Sequence, residues 1–182
     1  MDDIVKQAMA KWPNVPACRG WLGLDARGHW FMRDDATQQR GPFPQSKGAE
    51  LQHEGLVAFI GRNYACDADG CWYFQNGPQR VYVELESAPW VLRVDEAGEV
   101  STHTGLPVQC QGCHEDEAGR IYMETQRGLG LVHSMDMLFF ANALERQPAW
   151  QPLPARWADL PGRFGFVRSL QRAAGEGRHA GP

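Results

Sequence analysis

The chain has 182 residues, 43% of them hydrophobic and 22% charged, with a formal net charge of −4 at pH 7. A chain of this size buries roughly 70% of its unfolded surface, enough for one domain or two small ones without staples. Acids and bases are interspersed, so there is no broad basic field for nucleic acid, and no run of about 18 apolar residues to span a membrane.

Met1-Asp2-Asp3-Ile4 carries two acids and no long apolar run, which speaks against a secretory signal. Five cysteines, an odd number, then point to free thiols in a reducing cytoplasm. Ile4, Val5, Ala8, Met9 and Trp12 recur at helical spacing, and Pro13 ends that helix near Trp12. Next comes a phrase that the chain writes four times: an apolar run, Asp-x-x-Gly, and another apolar or aromatic run. The turns are 25–28, 67–70, 95–98 and 116–119. Asp bonds its own backbone and Gly supplies a positive φ, so each phrase reads as a β-hairpin with a four-residue or bulged turn.

Residues 36–45 read as a loop, and Ser46 as the cap of a second helix with Ala49, His53, Leu56, Val57 and Ile60 on one face. Residues 80–86 alternate as a strand after hairpin two, and 87–89 break it. Hairpin four leads through Gly128-Leu129-Gly130, read as a bend, into a helix over 135–144 capped by Ser134. From Gln147 onward prolines interleave with aromatics, the composition of an extended arm. Trp30, Trp72, Trp90 and Trp150 are expected in the core.

The turn glycines are spaced unevenly: 42 residues from Gly28 to Gly70, 28 to Gly98 and 21 to Gly119. Propellers and solenoids need a near-constant period, so a related pair of α+β units fits better. The expected fold class is α+β, with repeated antiparallel hairpins packed on two or three helices. The expected divisions are 1–62, 63–146 sharing a core with it, an arm over 147–172, and a disordered tail over 173–182.

Cys110-Gln111-Gly112-Cys113-His114 spells the string used for c-type haem attachment. The repeat places it at a strand, whereas haem strings lead off a helix, and the reading here is against haem. Zinc is the stronger metal option: Cys66 and Cys71 flank the turn of hairpin two and are expected to face each other. With Cys110 and Cys113 they supply four thiolates. Against it, the matching pairs in the other hairpins are Leu24 with His29, Val94 with Glu99, and Glu115 with Arg120, so those positions accept any residue. His103 and His133 are the candidate bases, and neither has a motif-linked nucleophile.

The segment Gln75-Asn76-Gly77-Pro78-Gln79-Arg80 puts several donors on a rigid corner, which suits an anion or polar ligand. Gln75, Asn76, Gln79 and Arg80, with His103 and Thr104, form the candidate ligand-binding set. The bland alternative is an exposed turn with Arg80 paired to a nearby Glu.

The strings from Met1 to Pro16, from Gly20 to Gly28 and from Phe74 to Val83 resemble small proteobacterial proteins classed as a domain of unknown function, over roughly residues 1–140. The cysteines at 66, 71 and 110 fall outside that family's pattern. More distantly, the order of hairpin, helix, hairpin, Glu86-Ser87-Ala88-Pro89-Trp90 and Thr102-His103-Thr104-Gly105 is similar to another uncharacterised family. That family has repeated α+β motifs and a suggested part in signalling. Neither resemblance supplies a catalytic residue. The functional expectation is a cytoplasmic, non-enzymatic module for a small polar ligand or protein partner, with no nucleic acid and no membrane. A zinc or redox-active cysteine protein and a hydrolase-type enzyme using His103 or His133 are the alternatives.

Overall fold

The structure is a computed structural model, and it describes residues 1–170; the tail expected over 173–182 lies outside the described residues. In chain order the elements are α1 (Asp3–Lys11), β1 (Cys18–Leu24), β2 (Trp30–Met32), α2 (Asp35–Arg40), β3 (Ala49–Glu50), α3 (Glu54–Arg62), β4 (Tyr64–Cys66), β5 (Trp72–Asn76) and β6 (Gln79–Leu85). They continue with β7 (Trp90–Val94), β8 (Val100–Thr102), β9 (Pro107–Val108), β10 (Cys110–Glu115), β11 (Ile121–Thr125), β12 (Gly128–Val132), α4 (Met137–Arg146), β13 (Leu153–Pro154) and α5 (Leu160–Phe164).

The strand pairs β1–β2, β4–β5, β7–β8 and β10–β11 are antiparallel and each is joined by an Asp-x-x-Gly turn. Three of the four turns share one main-chain closure. The Gly N–H of the second, third and fourth turns bonds the Asp carbonyl, and the turn glycines have φ of +85°, +79°, +85° and +73°. Each Asp carboxylate also accepts the N–H of the residue four on: His29, Cys71, Glu99 and Arg120. That bonded pair takes up one residue, so the next pairs are Leu24 with Trp30, Cys66 with Trp72, Val94 with Val100, and Glu115 with Ile121. The sequence expectation is therefore one residue out of register. Cys66 faces Trp72, and Cys71 stands on the opposite side of the sheet.

A fifth turn of this kind joins β8 to β9, with the Thr102 hydroxyl in the place of Asp. It accepts the Leu106 N–H at 3.1 Å, and Gly105 has φ +82°. Thr-x-x-Gly is the weaker form of the same local signal.

The chain forms two compact units. One comprises Met1–Asp25, His29–Glu86 and, among the described residues, 166–170; the other comprises Ala26–Gly28 and Ser87–Gly165. The first holds the sheet β3-β2-β1-β6-β5-β4 and the second holds β13-β10-β11-β12-β7-β8-β9. The two sheets repeat one topology. In each, a hairpin is followed by a three-strand meander whose last strand returns parallel to the first: β6 beside β1, and β12 beside β7. The division thus falls after β6 rather than at residue 62, because parallel pairing draws hairpin two into the first sheet.

Aromatic burial supports each sheet. Trp30, Trp72, Trp90 and Trp150 are all buried, as expected. In the first unit the Tyr64 ring lies edge-on to Trp30 at 5.2 Å and 4.8 Å from Trp72. In the second, Trp150 stacks on Phe140 at 6.2 Å. No helix among the described residues is long and apolar enough to cross a membrane.

Several elements differ from the expectation. The described residues contain five α-helices rather than two or three. The extra α2 is capped by Asp34, whose side chain accepts the Thr37 N–H at 2.8 Å. Helix α3 starts at Glu54, and His53 caps it through Nδ1, while the Ser46 hydroxyl bonds the Thr37 carbonyl. Gly128-Leu129-Gly130 is part of strand β12 rather than a bend, and α4 follows from Met137 after a short 3-10 turn over Ser134–Asp136. The arm is not wholly extended: Leu153 and Pro154 pair with His114 and Glu115 at the sheet edge, and α5 follows. An edge strand tolerates proline because one side of it needs no ladder.

Candidate functional site

The polar corner is the turn between β5 and β6. Gln75 pairs with Arg80 and Asn76 with Gln79, leaving Gly77 and Pro78 as the central residues. Gly77 has φ +57°, the positive value that a type II′ hairpin turn asks of its first central residue. Strand alternation turns Gln75 inward, where it is 1% exposed. Its Nε2 donates to the Gly77 carbonyl at 2.9 Å, which fixes the amide's orientation. Its Oε1 is buried and receives no hydrogen bond. An orphaned buried acceptor costs about 1–3 kcal/mol.

Beside it lies a groove of about 390 Å³, lined among others by Met9, Trp12, Gln75, Pro78, Arg80 and Tyr82. Helix α1 delivers Met9 and its C-cap residue Trp12; β6 delivers Arg80 and Tyr82. The Arg80 guanidinium lies over the Tyr73 ring at 4.7 Å, and the Tyr82 hydroxyl beside it raises its already high pKa, so it stays cationic. Tyr82 in turn donates to Asp67 at 3.0 Å, tying the groove wall to the second Asp turn. Gln79 Nε2 donates to the Pro16 carbonyl at 3.0 Å, between the groove-lining residues Val15 and Ala17. Asn76 is exposed at the corner.

Four of the six residues expected to bind ligand are therefore gathered at one corner, and two of them, Gln75 and Arg80, line the groove. His103 and Thr104 are central residues of the fifth turn and belong to the second unit. The His103 Nδ1 accepts the Val91 N–H at 3.2 Å, and the Trp90 ring lies 5.7 Å away. The other candidate base, His133, accepts the Met135 N–H through Nδ1 at 3.2 Å. Both rings spend a nitrogen on the main chain. Nothing in the sequence beyond helical and strand periodicity marks Met9, Trp12 and Tyr82 as residues of a site.

The four candidate thiolates do not meet. Cys66 and Cys71 are on opposite faces of one sheet, and Cys110 and Cys113 belong to the other unit. Among the described residues no group of three or more His, Cys, Asp or Glu is placed to hold a metal ion. Cys113 and His114 are successive residues of strand β10, so they point to opposite faces. His114 is buried against the Phe164 ring at 5.2 Å, with the Glu124 carboxylate 3.9 Å from Nε2.

Burial, then the nearby Arg163 cation, holds the His114 pKa below the ordinary imidazole value. The folded state therefore keeps the ring neutral while the unfolded chain takes up a proton below about pH 6.5. Asp136 is held below the usual carboxylate range by its hydrogen bonds from Arg93, with the Val94 N–H adding to them. For Asp116 burial works upward, but the Arg120 main-chain and guanidinium donors outweigh it and the net direction is down. In each case the unfolded state binds more protons, so stability falls with falling pH. We expect urea midpoints to decline first below about pH 6.5 from His114 and more steeply below about pH 4 from the carboxylates. Replacing His114→Phe should remove the first decline and leave the second; a variant with an unchanged pH profile would contradict this.

The fold and the groove define a class of α+β protein: two units of one hairpin-and-meander topology, the first carrying a polar corner beside a partly apolar groove. The chain belongs to the family described as "Protein of unknown function (DUF2946)", whose model matches residues 1–171. Among solved structures it is similar to a DUF1285 family protein from Shewanella baltica, at 19% identity over 67% of this chain and 91% of that one, with a TM-score of 0.46. It is also similar to a DUF1285 family protein from Silicibacter pomeroyi, at 15% identity over 72% of each chain, with a TM-score of 0.49. No curated protein matches it.

Proposed function

We propose that this protein is a cytoplasmic, non-enzymatic binding module that takes a small polar ligand in the groove beside residues 75–80. The observation that carries the reading is the Gln75 Oε1, a buried acceptor without a donor on a residue lining the groove. A shift of the Gln75 side chain toward the groove would bring that acceptor to a ligand N–H or O–H. Arg80, cationic and stacked on Tyr73, suits a carboxylate or other anion, and Met9, Trp12 and Tyr82 suit a planar apolar body between the two ends. The groove's volume of about 390 Å³ falls within the range of small-molecule sites. The free thiols agree with a reducing compartment. A sensing module of this kind suits a part in signalling.

4-Hydroxybenzoate carries all three features and serves as the probe. Titrated into the isotopically labelled protein, it should shift the Gln75 side-chain amide and Arg80 Nε–H resonances at millimolar concentration. Gln75→Leu and Arg80→Gln should each weaken binding about tenfold, the equivalent of one charge-assisted or buried hydrogen bond. Shifts that bypass the corner, or an affinity indifferent to both substitutions, would remove the reading.

A further inference from the structure

The Cys-x-x-Cys string has a geometry that its sequence spacing alone does not supply. In a regular strand, residues three apart point to opposite faces. Strand β10 carries a bulge: Cys110 pairs with Thr125 and Gly112 with Glu124, so Gln111 is an extra residue. The bulge returns Cys110 and Cys113 to one face, and their Sγ atoms lie 3.4 Å apart. Cys110 is partly exposed and Cys113 is buried. One thiol is open to a reagent and the second waits behind it.

We infer that Cys110 and Cys113 form a dithiol that exchanges with small organic disulfides, cycling between two thiols and an intramolecular bridge. This goes beyond the groove, which lies in the other unit. In the first step the Cys110 thiolate, its proton lost to solvent, attacks one sulfur of the small disulfide. A mixed disulfide forms at Cys110, and the other half leaves as a thiolate that takes up a proton. In the second step Cys113 loses its proton and attacks the Cys110 Sγ, forming the bridge and expelling the second small thiol. The protein dithiol is oxidised by two electrons and one small disulfide is reduced to two thiols.

The electrostatics agree with that order. The hydrogen bond from Cys113 holds the Cys110 thiol below the ordinary thiol value, with the Gly112 main chain adding to it. Cys113 is pushed upward by its bond to Cys110, by burial and by the charge on Cys110. Two of those three causes disappear once Cys110 is capped in the mixed disulfide, which frees Cys113 to resolve it. Cys66 provides the internal contrast: burial and its acidic neighbour Asp67 push its thiol up to about 11. At neutral pH Cys110 should therefore hold more thiolate than Cys66, a gain that only in part is taken back by the lower nucleophilicity of the more acidic thiol.

Oxidised glutathione is the probe. The full, reduced chain is incubated with it, alkylated at intervals and mapped by peptide mass spectrometry. In the unsubstituted protein the segment containing Cys110 and Cys113 should lose two hydrogens and retain no glutathione, about tenfold faster than Cys66 acquires an adduct. Cys113→Ser should trap glutathione on Cys110, and Cys110→Ser should leave Cys113 unmodified. The unsubstituted protein decides the matter if either variant fails to fold. Glutathione accumulating on Cys110 without a bridge, or Cys66 reacting as fast as Cys110, would overturn the inference.

Discussion

Arg33→Met is expected to destabilise the protein by about 3–5 kcal/mol, the loss typical of removing one partner from a buried charged network. Arg33 has 0% exposure, and its guanidinium is held almost entirely by main-chain carbonyls. Nε donates to Ser46 at 3.0 Å, Nη1 to Gly20 at 3.1 Å and Nη2 to Gly41 at 2.7 Å. The cation thereby ties strand β1 to the segment that follows α2. Methionine fills much of the volume but leaves three carbonyls without donors. Arg33→Lys should recover little, since a single ammonium cannot reproduce a planar fork reaching three directions. Urea denaturation checks both variants. A fall of less than about 1 kcal/mol would mean that water reaches the carbonyls freely.

Gly130→Ala is expected to cost about 1–3 kcal/mol through overpacking, although a helix or strand elsewhere would accept the change cheaply. A Cβ on Gly130 would sit 2.5 Å from Leu92 Cγ and within 2.9 Å of both Leu92 methyl carbons. Leu92 is 0% exposed on β7, the parallel neighbour of β12, so it has no free volume to move into. Leu92→Ala alone should cost about 2–5 kcal/mol as a cavity. The double variant should be no worse than Leu92→Ala, because the added methyl enters space that the leucine has vacated. Strict additivity in a double-mutant cycle would argue that Leu92 and Gly130 do not touch.

The four Asp turns were legible because the Asp carboxylate and the turn Gly act within five residues of one another. Trp30, Trp72, Trp90 and Trp150 were legible as core through bulk and strand context. The sequence sets Cys66 opposite Cys71, but the bonded Asp67–Cys71 pair shifts the register by one residue, and a single-residue slip reverses every face. Helix α2 had a readable signal in Asp34 and Asp35, but Gly41 and Pro42 nearby favoured a loop reading. Gly130 reads as a bend because nothing local says that Leu92, far back in the chain, occupies its side-chain space. At the candidate site, the donors of residues 75–80 were visible as a polar cluster. The burial of Gln75 and the groove walls from α1 were not.

By itself, then, the sequence determined the turns, the strand alternation they impose and the inventory of thiols and polar groups. These depend on hydrogen bonds and steric limits inside short segments, whose free energy needs no distant partner. Tertiary structure alone decided that β6 returns beside β1 and β12 beside β7, because parallel pairing is chosen by the burial of whole faces across long loops. The same long-range choice left Gln75 Oε1 without a donor, and the β10 bulge brought Cys110 within reach of Cys113. Both candidate chemistries rest on packing that residue spacing cannot express.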